Sequence, residues 1–188
     1  VIFSDGIEAD YLRFTSGQVE HIHQSLQTRA EVLNGQHPFA AVLSCADSRV
    51  PVEILFDQGI GDVFVMRNAG NVVDDVVLGS IEYAVEHLGV RLVVVLGHSA
   101  CGAVTAALQA GAAEGHIGSI LDQIAPAVES TRHENGDALD NAIRANVRRM
   151  VDLVCASEPI LSAAVEAGSL QVVGGIYTLA TGKVEFLL

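Results

Sequence analysis

Two short segments of this chain contain the side chains best suited to chemistry. Cys45, Asp47 and Arg49 alternate in the first segment, and His98 and Cys101 lie three positions apart in the second. Two thiols and one imidazole form a Cys₂His set of ligands, which suits zinc because zinc prefers sulfur and nitrogen donors. Three protein ligands leave one tetrahedral position open, as in catalytic rather than structural zinc sites. We therefore expect one Zn²⁺ per chain, held by Cys45, His98 and Cys101.

Asp47 and Arg49 follow the first cysteine by two and four residues. Zinc with two thiolates and a neutral histidine has no net charge, so it acidifies bound water less than a three-histidine site does. A carboxylate that directs the water proton compensates for this, and an arginine can hold such a carboxylate through two parallel hydrogen bonds. We expect Asp47 to orient a zinc-bound hydroxide and Arg49 to hold Asp47. Asp47 is also a candidate fourth metal ligand, which would give the site an open and a closed state.

Short apolar runs that are typical of strands precede both segments. Residues 39–43 end just before Cys45, and residues 92–96 end just before His98. Three further runs of this type occur at residues 63–66, 170–176 and 184–188. Stretches with helical spacing of apolar residues separate the runs, which predicts an α/β fold with a mainly parallel central sheet flanked by helices. In such a sheet both segments lie at the carboxyl ends of strands, where ligands bind.

The length of the chain and the continuous alternation of predicted strands and helices favour one domain over residues 1–188. We predict an N-terminal helical arm at residues 1–35 and an α/β core at residues 36–188. Predicted helices cover residues 7–14, 23–33, 76–87, 103–108, 117–128, 138–155 and 160–167.

The composition excludes several classes of partner. Ten lysines and arginines against 23 aspartates and glutamates give a net charge of −13. This acidity repels phosphate backbones and anionic lipids, so we expect no nucleic-acid and no membrane partner. Three cysteines make a poor disulfide framework and favour a reducing compartment. We expect a cytoplasmic location, with an upstream targeting segment as the open alternative because the sequence does not begin with Met.

Other chemistries use the same residue types. The spacing from Cys45 to Arg49 is too short for a phosphatase-type loop, and residues 97–102 lack the lysine of a phosphate-binding loop. A thiol nucleophile paired with His98, and a buried Cys–His cluster without metal, are the remaining alternatives. Among other residues, we interpret Cys155 as a small core residue and His21 as part of a surface pair with His23.

The two segments together resemble the β-class carbonic anhydrases. The similarity includes residues 44–51 and 97–102, and extends through residues 35–38, 64–71, 79–85 and 174–177. It therefore covers the chain from about residue 10 to its C-terminal end. The resemblance implies reversible hydration of carbon dioxide to bicarbonate and a proton, with a zinc-bound hydroxide as the attacking group.

The resemblance also implies roles that spacing leaves unassigned. Gln36 matches a glutamine that reaches the active site of a dimer partner, which implies a homodimer or homotetramer. Phe64 and Tyr83 match residues that line the carbon dioxide pocket, and Gly102 matches a glycine whose N–H faces the substrate. Val42 stands where members with a regulatory bicarbonate site have tryptophan, so we expect the non-allosteric branch with an open site.

Two rival functions share these residues. Carbonyl sulfide and carbon disulfide hydrolases of the same family use the same zinc site. A non-catalytic zinc protein closed by Asp47 is the other rival, although such a site needs neither Arg49 nor Gln36. Arg67 is interpreted as a structural residue paired with a carboxylate such as Asp62 or Glu82, with a dimer contact as the alternative.

Overall fold

A computed structural model describes residues 7–20, 23–109 and 113–187 of the chain. Its centre is a five-stranded sheet in the order β2-β1-β3-β4-β5. The strands are β1 Ala40–Cys45, β2 Val63–Asn68, β3 Leu92–His98, β4 Gln171–Tyr177 and β5 Val184–Leu187. The first four strands run parallel and β5 is antiparallel to β4, which confirms the predicted mainly parallel sheet.

Eight helices flank the sheet within the described residues. They are α1 Ile7–Ser16, α2 Leu26–Glu31, α3 Val52–Leu55, α4 Asp75–Leu88, α5 Gly102–Leu108, α6 Ile117–Ser130, α7 Ala138–Cys155 and α8 Ile160–Glu166. The seven predicted helices are confirmed, and α3 is additional. The helix expected at residues 23–33 is shorter because Ser25 caps the first turn, accepting a hydrogen bond from the N–H of Thr28.

The sheet is covered on both faces, in keeping with central strands that are apolar up to their carboxyl ends. All residues of β1 and β3 are buried. Alternate residues of β1 and β3 join two apolar clusters. One cluster packs against α4 to α8, and the other includes residues of α3 and Phe14 of α1. Burial of both faces is what continuous β-branched runs predict for parallel strands.

The parallel pairing of β1 with β3 determines where the chemistry-bearing segments lie. Ser44 of β1 is in register with Leu96 of β3, so both strands end at the same edge of the sheet. Cys45 and His98 are the last residues of these strands and therefore lie side by side.

The N-terminal arm is only partly covered by the described residues. Helices α1 and α2 fall within residues 1–35, while residues 1–6 and 21–22, including His21 of the expected surface pair, lie outside the described part. The arm and core boundaries stay a prediction. In the part of the chain that the structure describes, no helix has the length and apolarity needed to cross a bilayer.

Candidate metal centre

Three ligand atoms converge at the carboxyl edge of the sheet. Cys45 ends β1, His98 ends β3, and Cys101 is the residue immediately before α5. Their sulfur and nitrogen atoms all lie within 4.8 Å of one another, and all three residues are buried. The convergence predicted from the strand ends is therefore present in the structure.

A tight turn brings Cys101 back towards His98. Ala100 has a positive φ of 56°, which reverses the chain between the strand and the helix. Ser99 fixes this turn to the end of β4, because its N–H donates to the carbonyl of Tyr177 at 2.9 Å and its Oγ accepts from the N–H of Leu179 at 3.0 Å.

The hydrogen bond of the His98 ring determines which nitrogen can bind a metal. Nδ1 lies 2.9 Å from the carbonyl oxygen of Ser99, and a carbonyl can only accept, so Nδ1 carries the proton. Nε2 then presents its lone pair, and it is buried without a hydrogen-bond partner among the described residues. An unpaired buried nitrogen costs free energy, and a bound metal would remove that cost. The geometry fits a metal ligand.

The two thiols share their protons unequally. Hydrogen bonding from the Cys101 thiol lowers the pKa of Cys45 to about 4, burial opposes this, and the N–H of Gly70 contributes further lowering. The bond to Cys45, with burial, raises the pKa of Cys101. When no metal is bound, the pair therefore loses its first proton easily and retains the second, and the N–H of Gly70 favours the negative charge on Cys45. A thiolate is the form that binds metal, so one ligand is already prepared.

Asp47 and Arg49 form a bidentate pair beside the ligand group. Arg49 donates from Nε to Oδ1 of Asp47 at 2.9 Å and from Nη2 to Oδ2 at 2.6 Å, and its backbone N–H adds a third bond at 3.0 Å. The guanidinium holds the pKa of Asp47 well below its usual range. Oδ2 of Asp47 lies 3.9 Å from Nε2 of His98, so the pair borders the site, but Asp47 does not belong to the three-ligand cluster. Closure of the site by Asp47 stays a prediction.

Arg67 holds the loop that carries these residues. Its Nε donates to the carbonyl of Cys45 at 3.2 Å and its Nη2 to the carbonyl of Asp47 at 2.7 Å. The expected pairing with Asp62 or Glu82 is wrong, because Arg67 is in register with Ser44 and its side chain reaches past the end of β1.

Of the residues assigned to the substrate, Gly102 alone is adjacent to a metal ligand in the chain. It follows Cys101 as the first residue of α5 and is exposed. Apart from its two chain neighbours and the backbone of its own helix, no atom lies within 4 Å of the position that a Cβ would occupy there, which leaves room for a small molecule.

Gln36, Phe64 and Tyr83 are not brought to the metal centre of their own chain. Phe64 is in register with Ala41, four residues before Cys45 and roughly 13 Å along the strand. Tyr83 packs on Phe64 with ring centroids 6.3 Å apart and remains 48% exposed. Gln36 is exposed in the segment before β1.

Cys155 lies at the end of α7 and is only half-buried, away from the cluster of three ligands. Two residues with no role assigned from the sequence support the site, one directly and one through the other. Gly70 donates its N–H to Cys45, and Asn146 of α7 contacts Gly70 in turn. The sequence does contain one sign of Asn146, which is the only polar residue among the buried, otherwise apolar positions of α7.

The fold and the site define an α/β protein with a Cys₂His group that could hold a metal ion and a neighbouring Asp–Arg pair, at the carboxyl edge of a mainly parallel sheet. Residues 40–184 match the model of the carbonic anhydrase family. The chain is 43% identical over 175 residues to carbonic anhydrase 2 of Mycobacterium tuberculosis, covering 91% of this chain and 84% of that protein. It is 42% identical over 177 residues to a carbonic anhydrase of Mycolicibacterium smegmatis, covering 92% and 86%.

Solved structures place the chain in the β class. A β-carbonic anhydrase of Coccomyxa, in complex with acetazolamide, matches with a TM-score of 0.76 and 33% identity, covering 95% of this chain and 81% of that one. A β-carbonic anhydrase of Sordaria macrospora, described as tetrameric, matches with a TM-score of 0.78 and 28% identity, covering 94% and 91%. The chain belongs to the β-carbonic anhydrase family and is an enzyme of that family.

Proposed function

We propose that this chain catalyses the zinc-dependent, reversible hydration of carbon dioxide to bicarbonate and a proton. The observation that carries the proposal is the convergence of Cys45, His98 and Cys101 within 4.8 Å, beside a carboxylate already held by an arginine. A structural zinc site is normally closed by four protein ligands, whereas this group has three.

Cys45, His98 and Cys101 are the residues that would hold zinc. The bound ion would supply a Lewis acid that makes a water molecule nucleophilic near neutral pH. The protein prepares for this in two ways: His98 presents Nε2 with its lone pair, and Cys45 is held as a thiolate.

Asp47 is the hydrogen-bond acceptor best placed to orient a reacting water. Its low pKa keeps it ionised, and therefore an acceptor, across the neutral range. Its two oxygens are engaged by Arg49, which opposes a movement of Asp47 onto the metal. This supports a site that is open at neutral pH, in agreement with Val42 at the position where allosteric members have tryptophan.

We propose a homodimer in which Gln36, Phe64 and Tyr83 serve the metal centre of the partner subunit, with a homotetramer as the larger assembly. The support is their placement, since these residues lie away from the ligands of their own chain and Tyr83 is half-exposed. Gly102, next to Cys101, would face the substrate within the same chain. A cytoplasmic location stays a prediction.

Hydration measured on protein with a known zinc content tests this proposal. Cys45→Ser should lose most of its zinc and its carbon dioxide hydration, while Cys155→Ser, a cysteine outside the cluster, should keep both. Equal zinc content and activity in Cys45→Ser would contradict the proposal. Turnover of carbonyl sulfide measured in parallel separates the hydrolase alternative, because that function would give faster turnover of the sulfur substrate.

A further inference from the structure

Gly70 connects the metal-binding group to the helical layer. Its backbone N–H donates to Sγ of Cys45 across 3.3 Å, and both residues are buried. A hydrogen bond to a metal-bound sulfur stabilises its negative charge and reduces the electron density that it gives to the metal. The direction of the Gly70 N–H therefore affects how strongly the sulfur of Cys45 donates to a bound metal.

The backbone of Gly70 has a conformation that only glycine adopts there without strain. Its φ is 77°, and a Cβ at this position would lie 2.7 Å from Cδ1 of Ile124 and 3.2 Å from Cβ of Ala103. Glycine also has the greatest conformational freedom of all residues. Asn68 holds the loop from within through two hydrogen bonds with the backbone of Val72, at 2.8 Å each, but neither of them reaches the carbonyl of Gly70.

Asn146 restrains the carbonyl of Gly70 from α7. Its Nδ2 donates to the carbonyl oxygen of Gly70 at 2.9 Å, across 76 residues of sequence, and its side chain is 1% exposed. The other buried residues of α7 are apolar: Ala142, Ile143, Val147, Met150 and Val154. Burying an amide on an apolar helix face costs free energy unless it is paired, and Oδ1 of Asn146 has no partner among the described residues.

We propose that Asn146 is a positioning residue for the metal centre: by holding the carbonyl of Gly70, it fixes the peptide plane that follows Cα of this residue. Through Cα it limits the positions from which the N–H of the preceding plane reaches the sulfur of Cys45. The inference rests on the proposed function only in taking Cys45 as a metal ligand. Asn146 contacts neither metal ligands nor substrate in this assignment, and it acts only through Gly70.

A second contact between α7 and the same loop supplies a matched control. The N–H of Val73 donates to Sδ of Met150 at 3.2 Å, one helical turn beyond Asn146. Met150→Leu removes this hydrogen bond to the loop but leaves the contact between Asn146 and Gly70 in place. This variant therefore shows the effect of losing one hydrogen bond between α7 and the loop while the carbonyl of Gly70 is still held by Asn146.

The test compares Asn146→Leu with Met150→Leu after cobalt substitution of the whole protein. Loss of the N–H···S bond should move the thiolate-to-cobalt charge-transfer band to lower energy, because the sulfur becomes a stronger donor. Zinc release to a chelator should accelerate by roughly 10-fold or more, because the loss of orientation at Cys45 outweighs the stronger donation by its sulfur. Met150→Leu should keep the band and the release rate of the unaltered chain. Asn146→Ala, which adds no bulk, is the second variant if Asn146→Leu does not fold.

Two results would overturn the inference. A cobalt band and a zinc release rate in the Asn146 variants equal to those of Met150→Leu would show that Asn146 serves stability alone. Absence of a thiolate-to-cobalt charge-transfer band in the unaltered chain would show that Cys45 does not bind the metal, and the proposed function would fail as well. The two failures are distinguishable because the first appears only in the variants.

Discussion

The guanidinium of Arg49 holds both carboxylate oxygens of Asp47, at 2.9 Å and 2.6 Å, and Asp47 follows Cys45 by two residues. The pair lies on the loop that leaves β1, and Oδ2 of Asp47 is 3.9 Å from Nε2 of His98. A single short loop therefore supplies a candidate metal ligand, a hydrogen-bond acceptor and the group that fixes that acceptor.

Replacement of Arg49 should impair hydration without removing the metal. Arg49→Ala releases Asp47 from its bidentate partner, so we expect kcat to fall by about 10- to 100-fold, with zinc content unchanged. Arg49→Lys should recover only part of the loss, because lysine cannot make both bonds at once. Arg132→Ala, which removes an exposed surface pair with Glu129, is the control and should keep full activity. Full activity in Arg49→Ala would contradict the role of the pair.

Zinc binding near pH 7 should release about one proton per chain. Cys45 has a pKa of about 4 and is already a thiolate, whereas the raised pKa of Cys101 means that its proton must leave when metal binds. Calorimetric titration of the metal-free protein in buffers with different heats of ionisation counts that proton. Release of two protons, or of none, would contradict the unequal sharing between the thiols.

Loss of Arg67 should destabilise the protein through the loop that it holds. Arg67→Ala removes two hydrogen bonds to the carbonyls of Cys45 and Asp47, and we expect a loss of about 1 kcal/mol of unfolding free energy because the side chain is exposed. Glu82→Gln should stay within about 0.5 kcal/mol of the unaltered chain. Urea denaturation measures both changes. A larger loss in Glu82→Gln would favour the carboxylate pairing that the structure does not show.

Glu185 should contribute to stability in a defined range of pH. Arg144 of α7 donates two hydrogen bonds to Glu185 of β5, at 2.9 Å and 2.7 Å, and lowers its pKa. A depressed carboxyl pKa gives stability that is present above the ordinary glutamate value of about 4.3 and is lost as the pH falls through the folded-state value. The difference in unfolding free energy between the unaltered chain and Glu185→Gln should therefore be greatest above about pH 5 and shrink towards about pH 3. A difference that stays constant over that range would contradict this coupling.

The sheet and the convergence of Cys45 and His98 were predictable because their signals are local. Runs of β-branched residues defined β3, and a strand end followed by Cys or His placed Cys45 and His98 at one edge. Helix α3 was missed because four residues after Pro51 are too few to show a helical period.

The partner of Arg67 was not predictable from the sequence, because it depends on the register between β1 and β2. Asn146 was missed for a similar reason, since its contact with Gly70 spans 76 residues and follows from packing rather than from any motif. The roles of Phe64 and Tyr83 depend on a partner subunit and stay predictions.

Carbon dioxide hydration by stopped flow, from about pH 6.5 to about pH 9, on zinc-quantified protein beside Asp47→Ala, tests the central claim most directly. If Arg49 holds Asp47 away from the metal, the unaltered chain should hydrate carbon dioxide rapidly already at about pH 7. Asp47→Ala should be slower by about 10- to 100-fold at every pH, because the acceptor beside His98 is lost. No hydration at any pH, with one zinc bound per chain, would contradict the proposed function. The open site would be contradicted if the unaltered chain were active only above about pH 8 while Asp47→Ala were active at neutral pH.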